Sequence, residues 1–319
     1  MLNIRIENDI DRCGVLWQRL WPDQCLFDRW DVRLAFHRHF GRPPHFIVAE
    51  RAGRPVGLLP LSWIEEEGYY GCFPGETWKG KTWLEQNRVP AESHDIRQQL
   101  WLAGPDDIRM RYLLPEESPG SAETDETGYL FHPLKYGGNI DAYWAEFSGK
   151  SRKQLKREAS VYADRDCHFQ ENAFDDIDWM FETNLANFGT NSYFHDPRFQ
   201  NGFDVMLTLL RDLKSLRTVT VRVNGKKAAV DVGAVYHGRY TVLAGATDPA
   251  FPGIAKTINL FHLEWGCGRK FDEIDFLCGD FGWKTRFHLH PRPLCIARKN
   301  AAEHYEIKHT AKAAVLEAS

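Results

Sequence analysis

No stretch of this chain restricts its fold as tightly as Arg239–Phe287, RYTVLAGATDPAFPGIAKTINLFHLEWGCGRKFDEIDFLCGDFGWKTRF. Arg239–Thr247 is rich in β-forming residues and closes on the small residues Ala244, Gly245 and Ala246. Asp248-Pro249 and Pro252-Gly253 then punctuate a loop. From Ile254 to Cys267 apolar side chains recur at helical spacing (Ile254, Ile258, Phe261, Trp265), and Gly266 and Gly268 mark the helix end. Glu273–Leu277 reads as a short strand, followed by Gly279-Asp280 and Trp283-Lys284. A glycine at a helix entrance lets backbone amides approach a phosphate, and the helix dipole favours negative charge there. The order predicts an α/β fold with a site for a phosphate-bearing carrier.

The chain also repeats itself. Phe46–Leu61 is strand, turn at Ala52-Gly53, strand; Val219–Val235 has the same pattern about Asn224-Gly225. Turn chemistry makes both of them hairpins. A helical segment precedes each, Asp31–Phe40 and Phe203–Leu213. The turn glycines stand 172 positions apart (225 − 53), which predicts a duplicated unit. Between the halves, Pro115–Thr127 is acidic and rich in Pro, Ser and Gly, so it reads as an exposed loop. Gly128–Pro133 reads as a strand leaving it, Gly137-Gly138-Asn139 as a turn and Asp141–Phe147 as the start of a helix. The boundary is therefore placed at Gly138, giving domains 1–138 and 139–319.

A chain of 319 residues has room for two domains with separate cores. Its hydrophobic content of 43% and charged content of 26% are ordinary for a globular protein. A net charge of −4 argues against bulk nucleic-acid binding, DNA included. No run approaches the ~18 apolar residues needed to span a bilayer, and Met1–Ile4 leads straight into Arg5, Glu7 and Asp9 without a secretory apolar segment. Seven scattered cysteines without a C-x-x-C pair predict reduced thiols, a cytoplasmic location and no zinc. No histidine pair has metal-ligand spacing, and there is neither a Walker loop nor a defensible Ser-His-Asp order.

Strand, Pro252-Gly253-Ile254-Ala255, helix, strand, Gly279-Asp280 and Trp283-Lys284, in that order, resemble the C-terminal half of the CelD/BioF-like acyltransferases of the GNAT superfamily. Those proteins are similar to the FemAB peptidyltransferases in carrying two GNAT domains in tandem. In ordinary GNAT enzymes the pyrophosphate loop reads Q/R-x-x-G-x-G/A; Ala250–Ala255 keeps the G-x-A half, with Ala250 at the Gln/Arg position. The family's terminal hook, usually G-D-x-x-Y-K, reads here from Gly279 to Lys284. The resemblance implies two tandem GNAT-like domains, each a mixed sheet flanked by helices, the first degenerate and the second holding the donor site. It implies no permanently bound cofactor but acetyl-CoA or another acyl-CoA as co-substrate. The acceptor is then an amine, secondarily a hydroxyl, on a sugar or cell-envelope precursor. Two alternatives remain open: a FemAB-like transfer from aminoacyl-tRNA, and a non-catalytic GNAT-derived scaffold, which Ala250 favours.

On that resemblance the two strands splay to admit the pantetheine arm, and Ala244, Gly245 and Ala246 carry a bulged backbone facing the thioester. Gly253, Ile254, Ala255, Lys256 and Thr257 surround the phosphates; the plainer reading is a turn and an amphipathic helix with Lys256 on its solvated face. Asp280 is a candidate base and Lys284 a candidate anion binder, unless the two pair with each other. Asp231 is a third candidate: inside the apolar run Ala228–Ala234 it needs a partner, or alternation places it on a wet face. Asn191, Tyr193 and His195 lie in the polar segment Phe188–Pro197, where GNAT folds place an acceptor-binding loop, although aromatic loop residues also serve as packing anchors. In Ser151–Glu158, Arg152, Lys153, Lys156 and Arg157 share one helix face, a contact for donor phosphates or tRNA, or a solvated surface.

Overall fold

The structure is a computed structural model that describes residues 1–119, 122–279 and 282–299. Its elements begin with β1 (Leu2–Glu7), α1 (Ile10–Leu20), α2 (Trp30–Phe40), β2 (Pro44–Arg51), β3 (Arg54–Ile64), β4 (Tyr69–Cys72), α3 (His94–Ala103) and β5 (Ile108–Leu113). Next come β6 (Glu123–Phe131), α4 (Ile140–Ala145), α5 (Gly149–Ala159), β7 (Cys167–Glu171), α6 (Ile177–Phe188), α7 (Pro197–Asp212), β8 (Leu216–Val223) and β9 (Lys226–Tyr236). The described residues close with β10 (Arg239–Thr247), α8 (Ile254–Arg269), β11 (Glu273–Asp275), α9 (Trp283–Arg286) and β12 (His290–Lys299).

Two compact units divide the chain, Met1–Glu126 with the chain from Pro293, and Thr127–Arg292. Strand order in the first is β1-β2-β3-β4-β5-β12, and in the second β7-β8-β9-β10-β11-β6. Every neighbouring pair is antiparallel except β4 with β5 and β10 with β11. The same mixed topology therefore occurs twice, each time with a parallel pair in the same place. The two hairpin turns agree in detail: Ala52 and Gly53 have φ of 50° and 74°, Asn224 and Gly225 of 49° and 75°. Both central residues are left-handed, as a two-residue hairpin turn of type I′ requires.

The division differs from the one read off the sequence. The boundary falls between residues 126 and 127 rather than at Gly138, because β6 begins inside the acidic segment that reads as a loop. Phe131 and Leu130 pair with Ile274 and Asp275 of β11, and Phe131 and Tyr136 are buried in the second unit's core. Residues 293–299 leave the second unit, and Cys295–Lys299 pair with β5 in the first. Pairing partners so distant in sequence leave no local signal.

In the second unit α8 covers one face of the sheet. Ile254 and Ile258 pack on Val219, Val221 and Ala229, while Leu263 and Cys267 pack with Tyr240 and Ile274. Burying such side chains is worth about 1.5–3 kcal/mol each. This anchors the helix, and with it the loop at its entrance.

Candidate active site

β10 and β11 run parallel through Arg239↔Glu273, Tyr240↔Ile274 and Thr241↔Asp275, and then part. β10 continues to Thr247, whereas β11 ends at Asp275. The strand expected to reach Leu277 stops two residues early. Leu277 turns left-handed (φ 57°), and its N–H donates to Asp275 Oδ1 at 2.8 Å. The two strands therefore diverge as a wedge, with β10 along one edge.

The register of β10 on β9 shifts between Val242 and Ala244, so the bulge is at Leu243, one residue before the small triplet. Thr247 lies opposite Ala229, and Asp248 N–H donates to Ala228 C=O at 2.9 Å. That makes Thr247 and Gly245 the positions whose main-chain groups face away from β9, while Ala244 and Ala246 face it. Of the three small residues only Gly245 presents its backbone to the wedge. Asn184 Nδ2 donates to Gly245 C=O at 3.1 Å, and Asn187 Nδ2 to Thr247 C=O at 2.8 Å. The Gly245 N–H has no acceptor among the described residues.

The loop after β10 is tied by Asp248, whose Oδ1 accepts from Ala250 N–H at 2.8 Å and whose C=O accepts from Phe251 N–H at 3.0 Å. Gly253 then enters α8 with φ 88°, and no atom lies within 4 Å of where a Cβ would stand. The N–H groups of Gly253 and Ala255 find no acceptor among the described residues. Ile254 is buried in the core and Ala255 is exposed. Lys256 and Thr257, expected at the phosphates, face α5 instead. Lys256 Nζ donates to Glu158 Oε2 at 2.6 Å, and Thr257 Oγ1 to Ala159 C=O at 2.7 Å. Glu158 also receives Arg286 at 3.1 Å, and Tyr162 OH donates to Pro252 C=O at 3.0 Å. The Lys256 hydrogen bond holds the Glu158 carboxyl down at about 2. α5 thus clasps the start of α8, while Lys153, Lys156 and Arg157 stay exposed.

Asp231 is not on a wet face. It is 8% exposed, and its Oδ2 lies 3.0 Å from His262 Nε2 of α8. Lys284 is also buried, at 2% exposure, and its ammonium donates to the carbonyls of Phe276, Leu277 and Cys278 at 2.9, 2.8 and 3.0 Å. An ammonium has three protons to donate, and these three bonds make Lys284 a brace for the turn after β11. Asp280 lies outside the described residues. Asn191 and His195 are exposed, and Tyr193 packs on Phe199 with ring centroids 5.4 Å apart. The firm link from this loop to β10 is Ser192, whose hydroxyl donates to Asn184 Oδ1 at 2.7 Å.

Sequence reading missed Asn184, Asn187, Glu158, Arg217 and His262. Three of these had a signal: Asn184 and Asn187 share a helix face at i, i+3 spacing, and His262 interrupts the apolar face of its helix. All seven cysteines are free thiols. Among the described residues no metal-ligating cluster occurs, and no helix is long and apolar enough to cross a membrane.

Residues 149–285 match the family model of the acetyltransferase (GNAT) domain. The second unit is a GNAT transferase domain. No curated protein matches the chain. Among solved structures the chain is similar to FemX (TM-score 0.57, 8% identity, 95% of this chain and 99% of that one). It is also similar to the C-terminal domain of a putative lysylphosphatidylglycerol synthetase from Agrobacterium fabrum (0.56, 12%, 95% of each). A third similar structure is a tandem GNAT protein of the clavulanic acid biosynthesis pathway (0.51, 11%, 93% and 97%). At these identities the likeness is one of fold, and it extends over both units. GNAT folds take an acyl donor, so the wedge and the Gly253 loop of this GNAT domain are the places to look for one.

Proposed function

We propose that the protein transfers an acyl group from acyl-CoA to an amine, secondarily a hydroxyl, of a sugar or cell-envelope precursor. The observation that carries this reading is the parting of β10 and β11 after Thr241 and Asp275, one loop away from the left-handed Gly253. A pantetheine arm fits such a wedge as a false strand, with its amides bonded to the free edge of β10. Gly245 N–H then polarises the thioester carbonyl as an oxyanion-type donor. The pyrophosphate lies at the Gly253 and Ala255 amides, where the dipole of α8 favours negative charge. Ala250 does not oppose this, because the loop is organised by Asp248 and the free amides lie beyond it.

Transfer from aminoacyl-tRNA is the second reading, and the exposed basic face of α5 beside the loop favours it. The test is thermal shift with acetyl-CoA, longer acyl-CoAs and tRNA, followed by mass detection of acylated amines. A ligand at one hundred times its Kd adds about 2.7 kcal/mol of stability. Stabilisation by acyl-CoA with amide formation supports the proposal. Stabilisation by tRNA alone, weakened by charge reversal of Lys153, Lys156 and Arg157, moves the donor to tRNA. A flat response to all three leaves a binding scaffold.

A further inference from the structure

Behind β10 runs a connected chain of buried polar groups that holding an acyl donor does not require. His262 is fully buried on α8; its Nε2 lies 3.0 Å from Asp231 Oδ2 and its Nδ1 3.0 Å from Arg217 Nη1. Arg217, 4% exposed on β8, also donates from Nε to Glu171 Oε2 at 3.0 Å and from Nη1 to Tyr240 OH at 3.3 Å. Its guanidinium lies 3.6 Å from the centre of the Trp265 ring. A guanidinium only donates, so Nδ1 of His262 must be the acceptor and Nε2 must carry the proton. Burial pushes the imidazole below its ordinary value, which keeps it neutral. The tautomer is therefore fixed, with Nε2–H pointing at Asp231.

The charges along this chain are Glu171 and Asp231, both negative, and Arg217, positive. Glu171 offsets Arg217, which leaves one negative charge on Asp231. Its Oδ2 is taken by His262, while Oδ1 has no hydrogen-bond partner among the described residues. Asp231 stands opposite Gly245, and a methyl group at Gly245 would overlap Oδ1. The carboxylate thus borders the residue whose N–H faces the wedge.

We infer that Asp231 accepts the proton of the attacking amine, and that His262, held by Arg217, is the positioning residue that keeps Oδ1 free and aimed at Gly245. This deepens the acyl-CoA reading and rests on it. In the step, the amine nitrogen bonds to the thioester carbon and its surplus proton passes to Asp231 Oδ1. The C–S bond breaks, the thiolate leaves, and the proton on Asp231 is released to it through solvent. His262 keeps its proton throughout.

The charged and titratable groups facing His262 are Asp231 from β9, Arg217 from β8, Glu171 from β7 and Tyr240 from β10. A hydrogen bond to the ionised form of an acid favours that form. Loss of the His262 donor therefore moves the acid limb of the kcat profile to higher pH. His262→Gln can donate to Asp231 and accept from Arg217, whereas His262→Phe can do neither.

The experiment measures kcat, KM for acyl-CoA and pH profiles for Asp231→Asn, His262→Phe and His262→Gln, with melting curves for each. Asp231→Asn is expected to lower kcat by ~10²-fold or more, the range for a lost general base, with KM for acyl-CoA unchanged. His262→Phe is expected to lower kcat and shift the acid limb upward, and His262→Gln to restore most of both. A folded His262→Phe protein with wild-type kcat and pH profile overturns the inference and leaves the acyl-CoA reading intact. A wild-type protein that turns over no acyl-CoA overturns the acyl-CoA reading and Asp231's catalytic use with it. In that event nitrogen-15 histidine NMR still decides the positioning role, since a His262 protonated on Nδ1 overturns it. Should His262→Phe fail to fold, the Gln variant and the NMR measurement carry the test.

Discussion

The carboxylate of Asp231 lies over Gly245 so closely that a methyl group on the glycine would overlap it. The two residues are direct cross-strand neighbours, and glycine is the one residue that lets the acid occupy that space. Gly245→Ala must displace either the carboxylate or the edge of β10. Overpacking of this kind costs about 1–3 kcal/mol, so urea unfolding is expected to show a loss in that range. The larger effect is expected on turnover, at least ~10-fold, equal to about 1.4 kcal/mol of lost transition-state stabilisation. An Ala variant with wild-type kcat would separate Gly245 from the reacting centre.

Gly253 separates phosphate binding from folding. Its φ of 88° strains any other residue, by about 1–2 kcal/mol, with Asn the best tolerated. Gly253→Asn and Gly253→Asp are matched in size, so charge is the main difference between them. A negative group at the entrance of α8 opposes a pyrophosphate there and competes for the same dipole. Calorimetry is expected to show the Asp variant binding acyl-CoA more than ~10-fold weaker than the Asn variant, a difference of about 1.4 kcal/mol. Equal affinities would put the phosphates elsewhere.

Much of this architecture was legible in the sequence, because its signals are local. Turn pairs Ala52-Gly53 and Asn224-Gly225, the spacing of Ile254, Ile258 and Phe261, and the glycine before α8 each speak within a few residues. What was not legible depends on distant partners. Lys256 looked available for phosphates until α5 brought Glu158 to it, 98 positions away in sequence. Asp231 looked like a wet-face residue because its partner, His262, comes 31 positions later. The domain boundary failed for the same reason, since β12 leaves the second unit to complete the first.

Lys284 is expected to be a stability residue. Its three hydrogen bonds satisfy the carbonyls that are exposed when β11 stops at Asp275. A buried polar group left unpaired costs about 1–3 kcal/mol. Lys284→Met is therefore expected to lose about 3 kcal/mol or more in urea unfolding. Wild-type stability with lost activity would restore Lys284 as a candidate anion binder at the site.

Glu158 gives the clasp between α5 and α8 a pH dependence of known sign. Its carboxyl is held at about 2 from an ordinary 4.5, chiefly by the Lys256 hydrogen bond. A depressed acid contributes stability that is fully present above its unfolded value and is lost as pH falls through the folded one. The clasp is thus expected to hold at neutral pH and to weaken from 4.5 down toward about 2. Glu158→Gln should flatten that part of the stability curve. It also frees Lys256 and Arg286 beside the loop, so acyl-CoA should bind up to ~5-fold tighter at neutral pH, a gain of about 1 kcal/mol. Weaker binding in Glu158→Gln would mean that the loop needs the clasp more than it needs the charge.

The first unit repeats the topology without repeating the wedge, and this sets the number of donors per chain. β4 ends at Cys72, and no helix follows until His94. Residues 87–92 fill the space instead. Asn87 N–H donates to Tyr112 C=O at 2.8 Å and Leu114 N–H to Asn87 C=O at 3.1 Å, which binds the segment to the end of β5. On the β3 side, Leu58 N–H donates to Pro90 C=O and Glu92 N–H to Val56 C=O, both at 2.9 Å. Arg33, 1% exposed, fixes the arrangement from α2 by donating to Phe27 C=O, Phe73 C=O and Asn87 Oδ1. The chain's own backbone thus occupies the edge a pantetheine arm would need, and displacing it would leave these buried groups unpaired at about 1–3 kcal/mol each. Calorimetric titration is expected to give one acyl-CoA per chain, and Gly253→Asp to weaken that single event. A second binding event, or one that survives Gly253→Asp at full affinity, would assign donor binding to the first unit and reverse the roles of the two halves.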